Sequence, residues 1–152
     1  MAVTGKSPTL VLDTTVLLYA VGNDHRFREP CQRIVKAVQQ GVLNGTTTVE
    51  VIQEFTHVRA RRRDRADAGQ LASAYMELLA PLLIVETSDL RHGLQLFTQI
   101  HSLGSFDCVL AAATQAIGGT LVSADAAFAE ASQLRHVVPD DASITDLLAS
   151  VQ

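Results

Sequence analysis

Four carboxylates stand where a carboxylate does more than keep a surface soluble. Asp13 ends the apolar run Thr9-Leu10-Val11-Leu12, and Thr14 and Thr15 follow it before a second apolar run begins. Asp125 comes after Thr120-Leu121-Val122-Ser123 in the same manner, and Asp107 falls in the first turn of an Ala-rich helical segment. Glu54 lies at the margin of the stripe formed by Val51, Ile52, Phe55 and Val58 at about 100° per residue, where a carboxylate is costly unless something compensates for it. Each has a plainer reading: a cap for Asp13 and Asp125, a favourable dipole contact for Asp107, an arginine partner for Glu54. Together they make an all-oxygen donor set, which suits Mg²⁺ or Mn²⁺ and not zinc. The five histidines show no HxH or HxxxH pairing. Carboxylates around such a cation support phosphodiester hydrolysis by a metal-activated water.

Bringing these residues together requires an open parallel sheet, whose strand ends and following helix starts share one edge. The chain has the alternation that builds one. After the first strand, residues 14–21 read as a helix closed by Gly22-Asn23-Asp24, and Pro30 opens a second helix carrying Ile34, Val35 and Val38. Asn44-Gly45 reads as a turn. Residues 48–63 and 67–79 read as helices, and Leu82-Leu83-Ile84-Val85 as a buried parallel strand. Ser88-Asp89 should cap a helix with Leu90, Leu94, Phe97 and Ile100 on one face. Ser105 should cap the Ala-rich helix that Gly118-Gly119 ends. Thr120 to Ser123 form a strand, Val137-Val138 an edge strand, and residues 143–148 a terminal helix. Strands alternating with helices predict an α/β protein, with a mainly parallel sheet covered on both faces.

Composition narrows the class. The chain has 152 residues, 47% hydrophobic and 18% charged, which fits one globular domain over 1–152 with a substantial core. Cys31 and Cys108 read as small core residues of a reducing compartment. No stretch is apolar enough to span a membrane, and the first eight residues lack the apolar core of a signal peptide, so a cytoplasmic location is expected. Gly5-Lys6-Ser7 is no phosphate-binding loop, because the upstream glycine is missing and the tripeptide precedes the first strand. The net charge of −4 argues against a nucleic-acid partner only weakly, since a bound cation offsets clustered carboxylates. The basic residues are also concentrated: Arg59, Arg61, Arg62, Arg63 and Arg65 are almost contiguous. Arg59, Arg62 and Arg63 are candidates for contact with an RNA backbone or a protein partner, or simply the solvated end of a helix beside Asp64 and Asp67.

Four segments, in order, resemble the PIN-domain ribonucleases, and especially the VapC toxins of prokaryotic toxin–antitoxin pairs. They are Leu10 through Leu18, Val51-Ile52-Gln53-Glu54-Phe55, Phe106 through Ala113, and Leu121 through Phe128. The resemblance implies a three-layer α/β/α fold with a pocket holding Mg²⁺ or Mn²⁺, endoribonuclease activity and a homodimer. It also implies a VapB-type antitoxin that pushes a basic or bulky side chain into the pocket. By the same analogy Asp13, Glu54, Asp107 and Asp125 are the metal-site acids, and Ser123 supports them. The family commonly has Asn where this chain has Thr15, and a hydroxyl offers one donor in place of two.

Two other classes are open to the same residues. Asp13-Thr14-Thr15 after a strand also fits a haloacid-dehalogenase-like phosphatase with an aspartate nucleophile. That chemistry relies on a lysine after a later strand, and the only lysines are Lys6 and Lys36. A non-catalytic PIN-like module that binds RNA or protein is the other alternative, although an idle cluster of four acids is an electrostatic cost without return.

Overall fold

A computed structural model describes residues 7–151; the Gly5-Lys6 pair lies outside them. Among the described residues the central sheet has four strands, β1 (Thr9–Leu12), β2 (Asn44–Thr46), β3 (Thr120–Val122) and β4 (Arg135–Val137), all parallel in the order β2-β1-β3-β4. The two central strands are apolar and buried, as strands covered on both faces must be. Polar residues occupy the edges, with Asn44 in β2 and Arg135 in β4 both exposed, which blunts strand addition by another chain. The helices are α1 (Thr14–Ala20), α2 (Arg28–Gln39), α3 (Val49–Arg62), α4 (Arg65–Leu78), α5 (Thr87–Gln99), α6 (Ser105–Ala116) and α7 (Asp141–Ala149). A short 3-10 turn, Ala126–Glu130, follows β3. The core gathers Leu10, Leu12, Leu17, Ile34, Phe55, Leu79, Leu121, Phe128 and Ile144 between these layers. The α/β class and the parallel sheet stand as expected.

Local chemistry fixes where the helices begin. Thr48 caps α3 by accepting from the Val51 amide at 3.1 Å, and Asp64 caps α4 by accepting from the Asp67 amide at 2.8 Å. Asp140 does the same for α7 through the Ser143 amide at 2.7 Å. The arginines at the end of α3 oppose its negative pole.

Five local expectations need correction. Asn44-Gly45 is not a turn but the start of β2; the bend comes earlier, at Gly41 with φ +74°. Gly45 is needed for packing, since a Cβ there would lie 2.7 Å from Val38 Cγ2. Leu82 to Val85 form no full strand. The segment makes a single parallel bridge, Leu83 to Thr48, and Ile84 is 62% exposed, because no layer covers that side. Glu86, not Ser88, is the residue before α5, and Asp89 accepts from the Glu86 amide at 2.9 Å. Gly104 precedes α6, and Ser105 is already helical. On α5 the buried face carries Asp89 and Gly93, while Leu90, Leu94 and Phe97 are about half exposed; only Ile100 of that stripe is buried. Helical periodicity identified an apolar face without showing whether anything covers it.

Two helical glycines make opposite predictions. Gly93 lets α5 lie against α6, and a Cβ there would stand 2.7 Å from Val109 Cα and 2.9 Å from its amide nitrogen. Gly69, in α4, has nothing within 4 Å of such a Cβ. Replacing an exposed helical glycine with alanine gains up to about 1 kcal/mol, whereas overpacking against fixed backbone costs about 1–3 kcal/mol. Urea unfolding should therefore show Gly69→Ala stabilised by roughly 0.5–1 kcal/mol and Gly93→Ala destabilised. Equal effects would show that α5 and α6 do not approach this closely.

Candidate active site

The sheet register builds the site. Leu12 stands opposite Val122 in the parallel ladder, so the residues that follow, Asp13 and Ser123, are neighbours at the same edge. The Asp13 amide extends the ladder by donating to the Val122 carbonyl at 3.0 Å, and the Ser123 amide donates to the Val137 carbonyl at 3.1 Å. His136 Nε2 lies 3.0 Å from the Ser123 carbonyl. On the other flank, Thr47 Oγ1 donates to the Leu12 carbonyl at 2.6 Å, tying the end of β2 and the start of α3 to the end of β1. Thr47 and His136 were not singled out from the sequence, since neither a threonine before a helix nor an isolated histidine carries a distinguishing pattern.

Asp13 is only 4% exposed, and its carboxylate is held by two hydroxyls on one oxygen. Ser123 Oγ donates to Oδ2 at 2.7 Å and Thr15 Oγ1 donates to Oδ2 at 2.9 Å. Thr15 in turn accepts from the Ala124 amide at 3.1 Å, and Ser123 Oγ accepts from the Asp125 amide at 3.1 Å. Although Asp13 occupies the cap position of α1, its side chain makes no cap hydrogen bond. The helix-cap reading of Asp13 therefore fails. Asp125 does cap: its Oδ1 accepts from the Ala127 amide at 3.0 Å, and the side chain is otherwise exposed.

Glu54, in the second turn of α3, and Asp107, in the first turn of α6, join this edge from either side. Their electrostatics report the convergence. Burial pushes the Asp107 carboxyl up to about 7, and Asp13, Asp125 and Glu54 add to the rise by repulsion. Burial also raises Glu54, Asp13 raises it further, and the Thr14 hydroxyl acts in the opposite direction. Asp107 thus feels the other three acids, and Glu54 feels Asp13. Even so, among the described residues no three His, Cys, Asp or Glu side chains close up tightly enough to hold an ion on their own.

The group fits Mg²⁺ or Mn²⁺ on its own chemistry. The donors are all oxygens, and Mg²⁺ keeps several waters and needs only one or two direct carboxylates, so a loose set suffices. The buried Thr14 hydroxyl has no partner of good hydrogen-bond geometry, and a buried polar group of this kind suits contact with a water or an ion's hydration shell.

The arginines are not part of this constellation. Arg59 is spent on structure: its Nε and Nη2 reach Asp67 at 2.6 and 3.3 Å, and Nη1 donates to the Val21 carbonyl at 3.1 Å. Asp67 is held below its ordinary range chiefly by that hydrogen bond. Arg62 and Arg63 remain exposed at the far end of α3.

Comparison with known proteins agrees with this architecture. The PIN domain family model matches residues 10–134, a span containing all four acids. Over 143 residues the chain is 48% identical to a protein named Ribonuclease VapC7 from Mycobacterium tuberculosis (strain ATCC 25618 / H37Rv), covering 91% of this chain and 97% of that one. In fold it is similar to a chain in the crystal structure of VapBC2 from Rickettsia felis bound to a DNA fragment from their promoter. There the TM-score is 0.66 at 15% identity, over 85% of this chain and 97% of that one. The chain belongs to the PIN-domain family, among its VapC-type members.

Proposed function

We propose that this protein is a Mg²⁺- or Mn²⁺-dependent endoribonuclease, the toxin of a VapBC-type pair. The observation that carries the reading is the mutual electrostatic coupling of Asp107 with Asp13, Asp125 and Glu54 at one sheet edge. The 48% identity to a ribonuclease over nearly the whole chain supports it. When bound, the divalent ion would lower the pKa of a water and offset the charge of a phosphodiester.

The chain's own residues divide the remaining work. Ser123 and Thr15 fix one oxygen of Asp13 and leave the other for a ligand. Asp125 is oriented by its bond to the Ala127 amide and also keeps one oxygen available. Asp107 holds a proton near neutrality in the metal-free protein, and releasing it readies the site for a cation. Glu54 and the Thr14 hydroxyl close the side formed by α3 and α1. Asp13 serves as a ligand and not as a nucleophile, since Lys36 lies in α2, far along the chain from any later strand end.

Partners follow from the same charges. A site with four acids and no resident cation attracts a basic side chain, which is how a VapB-type antitoxin would silence it. The homodimer reading is supported by the apolar surface of α5, where Leu90 and Leu94 are each 47% exposed and Phe97 45%. A contiguous exposed apolar patch of this kind marks an interaction surface.

Four experiments test these statements. In the metal-free protein the native pKa of Asp107, about 7, exceeds its unfolded value of 3.8. Between these pH values the native state holds more protons, so stability falls as pH rises toward 7. Asp107→Asn should remove that loss: its thermal midpoint should exceed the wild type's at pH 8, with the gap closing near pH 4. Mn²⁺ should raise the wild-type midpoint, more at pH 8 than at pH 5.5, and leave Asp107→Asn nearly unmoved. Cleavage of single-stranded RNA should stop with EDTA and drop at least about 100-fold in Asp13→Asn and Asp107→Asn; undiminished cleavage in both would sink the mechanism. Finally, Leu90→Glu/Leu94→Glu should give a monomer by sedimentation, where the wild type gives a dimer.

A further inference from the structure

The loop after α1 and the end of α3 enclose a hollow of about 340 Å³, lined by Leu18, Gly22, Asn23, Arg59, Arg62 and Arg63. Arg59 forms its floor, locked to Asp67 and to the Val21 carbonyl, with a side chain only 11% exposed. By taking that carbonyl it offsets the negative end of α1. Arg62 and Arg63 make no ion pair within the described residues and are exposed, so their guanidinium donors are free for a ligand.

The hollow lies on the same seam as the acids. Thr14 of α1 acts on Glu54 of α3; one turn further along α1 Leu18, and beyond the helix end Gly22, line the hollow with Arg62. Glu54 and Arg62 are eight residues apart on one helix, about 12 Å at 1.5 Å per residue. That is roughly three to four stacked nucleotides. We infer that Arg62 and Arg63, with the Asn23 amide, form a phosphate-binding subsite that holds an RNA strand a few nucleotides from the phosphodiester at the acids. The inference rests on the ribonuclease reading above.

Charge favours RNA over a protein segment here. Anything that covers both ends of the seam must suit acids at one end and arginines at the other. An RNA strand presents a phosphate at every step and needs only a cation at the acidic end, whereas a protein segment would have to reverse its charge within about 12 Å. Arginine's planar fork matches phosphate oxygens in pairs, and the asparagine amide adds two donors.

The test is fluorescence anisotropy with a labelled single-stranded RNA oligonucleotide, titrated across salt on the full chain carrying Asp107→Asn so that the RNA stays intact. Adding Arg62→Ala/Arg63→Ala should weaken binding on the order of tenfold. It should also flatten the slope of log K against log salt by about 1.4, at 0.7 per phosphate lost. Arg62→Lys/Arg63→Lys should keep most of the slope. In the otherwise wild-type enzyme with Mn²⁺, the alanine pair should raise KM for the long RNA at unchanged kcat and leave a dinucleotide substrate unaffected. If the alanine pair fails to fold, Arg62→Gln/Arg63→Gln, which keeps much of the side-chain stem, carries the same expectations. An unchanged slope and KM, with RNA still bound and cleaved, overturns the subsite and leaves the ribonuclease reading intact. Unchanged RNA binding with weakened inhibition by the antitoxin assigns the arginines to the protein partner and overturns it as well. A wild-type chain that neither binds nor cleaves RNA removes both readings.

Discussion

A carboxylate buried at the end of a central strand is the constraint on which the rest of this structure depends. At 4% exposure, Asp13 would be prohibitive as an isolated charge. Two hydroxyls on a single oxygen make it tolerable, and charge-assisted bonds of this kind are roughly twice as strong as neutral ones. Those hydroxyls come from different elements, Thr15 from α1 and Ser123 from the end of β3. Each hydroxyl is itself fixed by the backbone, Thr15 by the Ala124 amide and Ser123 by the Asp125 amide, and the Ser123 amide is held by the Val137 carbonyl. The Leu12–Val122 register is therefore a condition of the site as well as of the sheet. A slip of one residue would put Leu12 against Ser123 and leave the carboxylate without its donors.

Asp107 and Glu54 work against folding. Asp107 is raised to about 7 by burial and by three neighbouring carboxylates, so these groups resist full ionisation near neutral pH unless a positive charge joins them. The hydrophobic layers elsewhere, around Phe55, Phe128 and Leu121, must offset that cost. A cation, or a basic group from a partner, would convert the same repulsion into binding energy.

How much of this could be read from the chain depended on the range of the interaction. Asp13, Asp107 and Asp125 were legible because each sits at a junction between an apolar run and a helix or turn, and parallel topology sends such junctions to one edge. Glu54 was legible from its place at the margin of a helical stripe. Thr15 and Ser123 proved more closely tied to Asp13 than their polar character alone implied, since the sheet register brings them to the same oxygen. Asn44-Gly45 misled because a turn-forming pair also suits a short edge strand when a side chain, here Val38, needs the room. Leu82 to Val85 misled because an apolar run says nothing about whether a layer covers it. The stripe on α5 failed for the same reason: Gly93, not Leu90 or Leu94, marks the face that packs on α6.

α3 shows how one rigid element can serve two opposite charges. Its cap, Thr48, directly follows Thr47, whose hydroxyl is tied to the Leu12 carbonyl at the sheet edge, so the backbone carrying Glu54 starts from a fixed point. Its last turn carries the arginines, which the helix dipole favours there. Arg59 is drawn out of the run by Asp67 and Val21, and that clamp holds the ends of α1, α3 and the start of α4 together. Net charge alone, at −4, hides this arrangement. What matters for a polyanion is where the charges lie: the acids gather at the sheet edge, and the arginines lie two turns away along α3. On the proposed reading, the helix sets the spacing between a site that needs a cation to accept phosphate and one that accepts phosphate directly.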